Sequence, residues 1–295
     1  EKPSIMKVLL KGGHLVSPLL ALIGCLIYGF SPVRAAFYAI FFTVVVSWLR
    51  KETRIGPKEF IEALELGAKS SILIIVTCAT VGFVIGGFLI TGLGLNASSA
   101  IISVSGGNFI AILFLVGLAC IVLGMGMNTV AAYLLVSVVG VPALTSQGID
   151  LFVANMFVFY FALLSHITPP VCLAIFAGAQ IAGAGIWETA FMGIKMSAVP
   201  YMLPFLIIFA PSLLLIGDPA TIALNTVAIT VGFIFIISAI QGWAFAPLSL
   251  VTRLLYAITG ACLIWPSLTV KTVGVVSAAV AIVLELVKRR RATAF

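Results

Sequence analysis

Between Lys69 and Glu188 the chain carries one formally charged side chain, Asp150. In soluble domains about a quarter of residues are charged, so a stretch this apolar lacks the polar surface that water requires. The whole chain agrees, with 62% hydrophobic and 8% charged residues. One spanning helix takes roughly 20 apolar residues, and the interval holds room for several. In lipid every backbone N–H and C=O must be satisfied internally. The fold class that follows is an all-α polytopic membrane protein.

That class changes how the remaining signals read. The net charge of +7 does not point to nucleic acid, because the basic residues gather at the ends of apolar runs, as insertion topology requires. The five cysteines, Cys25, Cys78, Cys120, Cys172 and Cys262, stand singly in apolar segments without metal-ligand spacing, as packing thiols do. The first residues, with Lys2, Lys7 and Lys11, lack a small-residue cleavage site after their apolar run, so no cleavable signal peptide is expected.

Apolar runs at 15–30 and 34–48, joined by the turn "FSPVR", predict a transmembrane hairpin within 1–55. Over 56–70, Phe60, Ile61, Leu64 and Ala68 recur at helical spacing opposite Lys58, Glu59, Glu62, Glu65 and Lys69, which predicts an amphipathic surface helix. Further runs are expected at 71–95, 109–123, 130–144, 151–164 and 171–184. A second surface helix follows at "GIWETAFMGIK", and 186–295 closes with transmembrane helices at 198–216, 221–240, 254–268 and 272–287. Arg50, Lys51, Arg54 and Lys58 mark a cytoplasmic loop, and Lys288 to Arg291 a cytoplasmic C-terminus. Four crossings from Lys195 to Lys288 agree with that orientation.

Three irregularities interrupt the apolar pattern. "GMGMNT" sets Gly124 and Gly126 beside Met127, Asn128 and Thr129. Glycine permits unusual dihedrals that turn carbonyls toward a guest, and amide and hydroxyl oxygens suit a hard cation such as sodium. The glycines also suit close helix packing alone. In "LSHITPPVCL", Pro169 and Pro170 lack N–H donors and leave carbonyls one turn earlier free. His166 beside them is a candidate proton carrier or an ordinary hydrogen-bonded core histidine. The third is 77–99, with glycines at 82, 86, 87, 92 and 94. It is either a plain spanning helix or a re-entrant hairpin with its tip near Gly82–Gly87.

Intramembrane hydrolysis needs paired aspartates, a serine–histidine pair or a zinc motif. The apolar interior offers one histidine and no carboxylate except Asp150. No phosphate-binding glycine loop with its lysine is present either. A non-enzymatic transport role fits these residues better than catalysis, with no cofactor beyond a coupling ion.

"LGMGMNTVAAYLL", together with "FVFYFALLSHITPPVCLAIFAGAQIAGA", resembles the large membrane subunit of tripartite ATP-independent periplasmic (TRAP) transporters. "YGFSPVRAAFYAI" and "SWLRKETRIGPKEFIEALELGAK" are similar to the fused-permease branch that works with TAXI-type binding proteins. The resemblance runs from about Gly12 to Pro211. It implies a sodium-coupled, elevator-type importer of organic acids in the bacterial inner membrane, fed by a periplasmic solute-binding protein and accompanied by a small membrane subunit. It makes 71–185 a transport-type repeat with hairpin, broken helix and T-P-P turn. The implied ion ligands are Gly82, Gly124, Met127, Asn128 and Thr129, with Thr168 close by. Thr80, His166 and Pro169 are implied to lie beside the substrate.

The family pattern G-M-G-L-P-T-T is altered here, with Asn128 for the proline and Val130 for the second threonine. The motifs of a first repeat are not in these residues, so the resemblance assigns them to the C-terminal half. An N-terminal half or a separate chain carrying the first repeat is then the expected partner. The alternative is a structural or assembly subunit derived from such a permease that no longer transports.

Overall fold

The computed structural model describes residues 13–49, 53–244 and 247–292. Lys2, Lys7, Lys11, Arg50 and Lys51 of the charge pattern lie outside the described residues. The chain divides into two compact units, Glu1–Ile75 and Val76–Phe295. Among the described residues every named element is helical. The elements are α1 (Ser17–Ile27), α2 (Pro32–Ser47), α3 (Pro57–Thr91), α4 (Leu93–Val104), α5 (Phe109–Gly124), α6 (Thr129–Thr145) and α7 (Leu151–Leu164). They continue as α8 (Leu173–Ala182), α9 (Ile186–Met196), α10 (Ala198–Phe209), α11 (Pro219–Gln241), α12 (Leu250–Ile264) and α13 (Leu268–Ala292). Among the described residues three helical runs, Pro57–Thr91, Ile186–Phe209 and Pro219–Gln241, are long and apolar enough to cross a membrane, and most of the others are shorter apolar helices.

In the first unit α1 and α2 pack as the expected hairpin. Ser31 caps α2 by accepting the Arg34 N–H, and Pro32 occupies the first helical position, where no N–H is needed. The loop after α2 is tied back to its end. Trp48 Nε1 donates to the Ile55 carbonyl (2.9 Å) and Thr53 Oγ1 to that of Ser47 (3.1 Å).

α3 joins two segments that the sequence reading kept apart. The surface helix and the following apolar run are one continuous 35-residue helix. Gly82–Gly87, the tip in the hairpin alternative, lie inside it, as in the spanning-helix alternative. A Cβ at Gly82, Gly86 or Gly87 would meet nothing within 4 Å, so no packing forces a turn there. Glycine weakens helices in water partly because the backbone can bond to solvent instead. Lipid offers no such competitor. The break falls at Gly92, whose φ of +67° belongs to the left-handed region that favours glycine. Past it, Leu93–Val104 forms α4, and Ser98 Oγ donates across to the Val139 carbonyl of α6 (2.7 Å).

The second unit centres on α5, α6 and α7, with α4 against α6 and α10 against α7. Ile112, Val116, Val136, Phe157 and Val158 form its buried heart. Close approach relies on glycine: a Cβ at Gly140 would stand 2.7 Å from Val158 Cγ2, and one at Gly117 2.7 Å from Phe161 Cζ. Phe205 of α10 locks on by edge contacts with Phe157 and Phe161, at centroid distances of 5.7 and 5.6 Å. Further along, α11, α12 and α13 pack in sequence. There Gly232 and Gly260 bring two backbones together, a Cβ on Gly260 meeting the Gly232 carbonyl at 2.7 Å.

Candidate functional site

The first break separates α5 from α6. Gly124 ends one helix and Thr129 begins the next. Met125 is extended (φ −62°, ψ 134°), and Gly126 turns the chain with φ +78°. Asn128 restarts the helix as its N-cap, its side-chain oxygen accepting the Ala131 N–H at 3.0 Å. Proline in that place could not cap in this way, so Asn128 supplies a local helix start of its own.

Between those helix ends the backbone is left open. Among the described residues the carbonyls of Met125, Gly126 and Met127 accept no backbone hydrogen bond. The Thr129 hydroxyl is half-buried and makes no hydrogen bond among the described residues. These are neutral oxygens of the kind hard cations prefer. No three His, Cys, Asp or Glu side chains gather among the described residues.

The second break separates α7 from α8, from Ser165 to Cys172. It holds its shape through short-range bonds. Ile167 N donates to Leu164 O (3.1 Å), and Ala174 N reaches back to His166 O (3.1 Å). Thr168 Oγ1 donates to Leu164 O at 2.6 Å and lies 2.6 Å from the Tyr201 hydroxyl of α10. With the single threonine proton on Leu164 O, Tyr201 is the donor of that second bond. His166 Nδ1 sits 3.1 Å from the Ala162 carbonyl. A carbonyl only accepts, so Nδ1 is the donor in that bond.

The two breaks meet. Ser165 Oγ, buried, lies 3.1 Å from the Gly124 carbonyl and 2.7 Å from that of Ala162. A Cβ on Gly124 would stand 2.9 Å from Ser165 Oγ, and one on Gly126 would lie 3.9 Å from Val171 Cγ1. Of the residues singled out in the sequence, Gly124, Met127, Asn128 and Thr129 thus share one break, and His166, Thr168 and Pro169 share the one against it. Gly82 and Thr80 are not brought to this cluster. Gly82 lies mid-helix in open surroundings, and Thr80 spends its hydroxyl on the Val76 carbonyl (2.9 Å). Ser165 and Tyr201 are the contributors that sequence reasoning missed. Ser165 could be suspected beside the prolines, but nothing in the sequence ties Tyr201 to Thr168.

Apolar helices interrupted at two touching breaks are an arrangement that secondary membrane transporters use. The sequence model of the family described as "Tripartite ATP-independent periplasmic transporter, DctM component" matches residues 1–219, and the chain belongs to that family. The family consists of permease components of TRAP-type secondary transporters rather than enzymes, and its members work in general with a small membrane subunit and a periplasmic binding protein. No curated protein and no solved structure gives a match.

Proposed function

We propose that this chain is the membrane permease of a sodium-coupled, binding-protein-dependent importer of organic acids, of the branch served by TAXI-type binding proteins. The carrying observation is the pair of touching breaks, where the carbonyls of Met125, Gly126 and Met127 and the Thr129 hydroxyl accept no hydrogen bond among the described residues. The donor set fits a hard monovalent cation, which supplies the coupling energy when bound. Gly124, Met127 and Thr129 would hold the ion, with Asn128 fixing the start of α6 and Thr168 beside them. His166 and Pro169 would face the substrate. Helix starts at Thr129 and Leu173 add partial positive charge suited to a carboxylate.

On this reading the described repeat works with a second one, carried by an N-terminal half or a separate chain, in an elevator motion within the bacterial inner membrane with the C-terminus cytoplasmic. The test is sodium-gradient-driven uptake in proteoliposomes supplied with the binding protein, the small subunit and the chain carrying the first repeat. Stimulation by sodium that is lost in Thr129→Ala supports the proposal. Uptake indifferent to sodium, or to that substitution, refutes it.

A further inference from the structure

The family match ends at residue 219, and beyond it α11 and α13 carry an arrangement that the transport reading does not use. Lys271, in the first turn of α13, is 4% exposed. Its ammonium donates to Asn225 Oδ1 on α11, and the Asn225 amide donates to Ser212 Oγ at 2.8 Å. No carboxylate closes this chain. The one ion pair among the described residues is Lys69–Glu65. Asp218, just before α11, has an oxygen occupied by the N–H groups of Ala220 and Thr221. An ammonium has three donors. A buried, unpaired cation within the bilayer is costly and marks a partner.

Beside the lysine runs a groove of about 790 Å³ between α11 and α13, lined by Leu224, Val227, Val231, Leu268, Val275 and Lys271 itself. Lys271 is the one charged side chain on its walls. Sites for amphiphilic small molecules have this size and this make-up, an apolar wall with a single polar anchor. Depth narrows the occupant. α13 begins at Leu268, after the exposed Trp265, an aromatic of the kind that sits at headgroup level. Lys271 lies three residues further along, about 5 Å into the helix, just beneath that level. A partner helix would bring a carboxylate at any depth, whereas a lone lysine in the first turn of α13, bordering an apolar groove, suits a headgroup.

We propose that this groove holds one anionic phospholipid, its phosphate on Lys271 and an acyl chain laid along α11 and α13. The site is independent of the ion-binding breaks. The test uses the purified 295-residue chain equilibrated with equimolar phosphatidylglycerol and phosphatidylcholine of identical acyl chains, with bound lipid read by native mass spectrometry. Phosphatidylglycerol is expected in about fivefold excess, the discrimination of one lysine near a lipid surface. Lys271→Met should bring the ratio to one, and Lys271→Arg should keep it. Val227→Trp, which fills the groove with the lysine in place, should also remove the excess, so the test survives if the methionine variant does not fold. Equal binding of both lipids by the unaltered chain would overturn the proposal and leave the groove to a partner helix. An undiminished excess in either Lys271→Met or Val227→Trp would overturn it as well.

Discussion

Ser165 Oγ stands 3.1 Å from the carbonyl oxygen of Gly124, so one hydroxyl joins the two helix breaks across the core of the bundle. Its single proton is shared with the Ala162 carbonyl at 2.7 Å, which His166 Nδ1 also approaches at 3.1 Å. Removing the hydroxyl in Ser165→Ala leaves a buried carbonyl without its partner, at a cost of about 1–3 kcal/mol. Thermal unfolding in detergent should show that loss, with reduced uptake beside it. An unchanged melting temperature would mean that the breaks hold together without this bond.

Thr129 tests the ion site apart from stability. Its hydroxyl makes no hydrogen bond among the described residues, so Thr129→Val should leave unfolding within about 0.5 kcal/mol of the parent. The sodium concentration for half-maximal uptake should rise about tenfold, which is roughly 1.4 kcal/mol. Thr129→Ser keeps the oxygen and should behave nearly as the parent. Equal sodium dependence in all three proteins would remove Thr129 from the site.

Tyr201 holds the second break from outside, its hydroxyl 2.6 Å from Thr168 Oγ1. Tyr201→Phe keeps the ring and deletes the donor, at an expected cost of about 0.5–1.5 kcal/mol. Uptake should fall further than stability alone explains, because Thr168 and the proline pair lose their anchor to α10. A variant with full uptake would show that the break is positioned by α7 and α8 alone.

Two glycines separate packing from mere flexibility. Gly140→Ala drives a methyl to 2.7 Å from Val158 Cγ2 and 3.2 Å from Cys120 Sγ, an overpacking worth about 1–3 kcal/mol. Gly82→Ala meets nothing within 4 Å and should stabilise α3 by up to about 1 kcal/mol, with sodium-dependent uptake unchanged. A loss of sodium dependence in Gly82→Ala would restore that residue to the ion site.

Much of the helical framework was legible as apolar runs, and the structure adds the local chemistry that starts the helices. Ser31, Asn108, Asp150, Asp218 and Ser249 each accept the first N–H groups of the helix they precede. Asn128 does so too, and its place after two glycines exposed the first break. The site's second half was legible through Pro169 and Pro170, which cannot donate. What stayed hidden depends on contacts distant in sequence. Tyr201 meets Thr168 only because α10 packs on α7, and Ser98 reaches the Val139 carbonyl only because α4 packs on α6. The glycines of 82–87 misled for the opposite reason: they suggest a bend, but no neighbour crowds them and no solvent competes for their hydrogen bonds.

That uninterrupted α3 has a mechanical meaning. A helix advances 1.5 Å and turns about 100° with each residue, so its 35 residues form a screw of about 52 Å. Had the chain folded back at Gly82, torque applied near Thr77 would dissipate at the bend. Without one, inserting a single residue after Thr77 would turn the rest of the helix, as far as Thr91, by over a quarter-turn. Gly92 is then the first place along the thread where such a twist can be released.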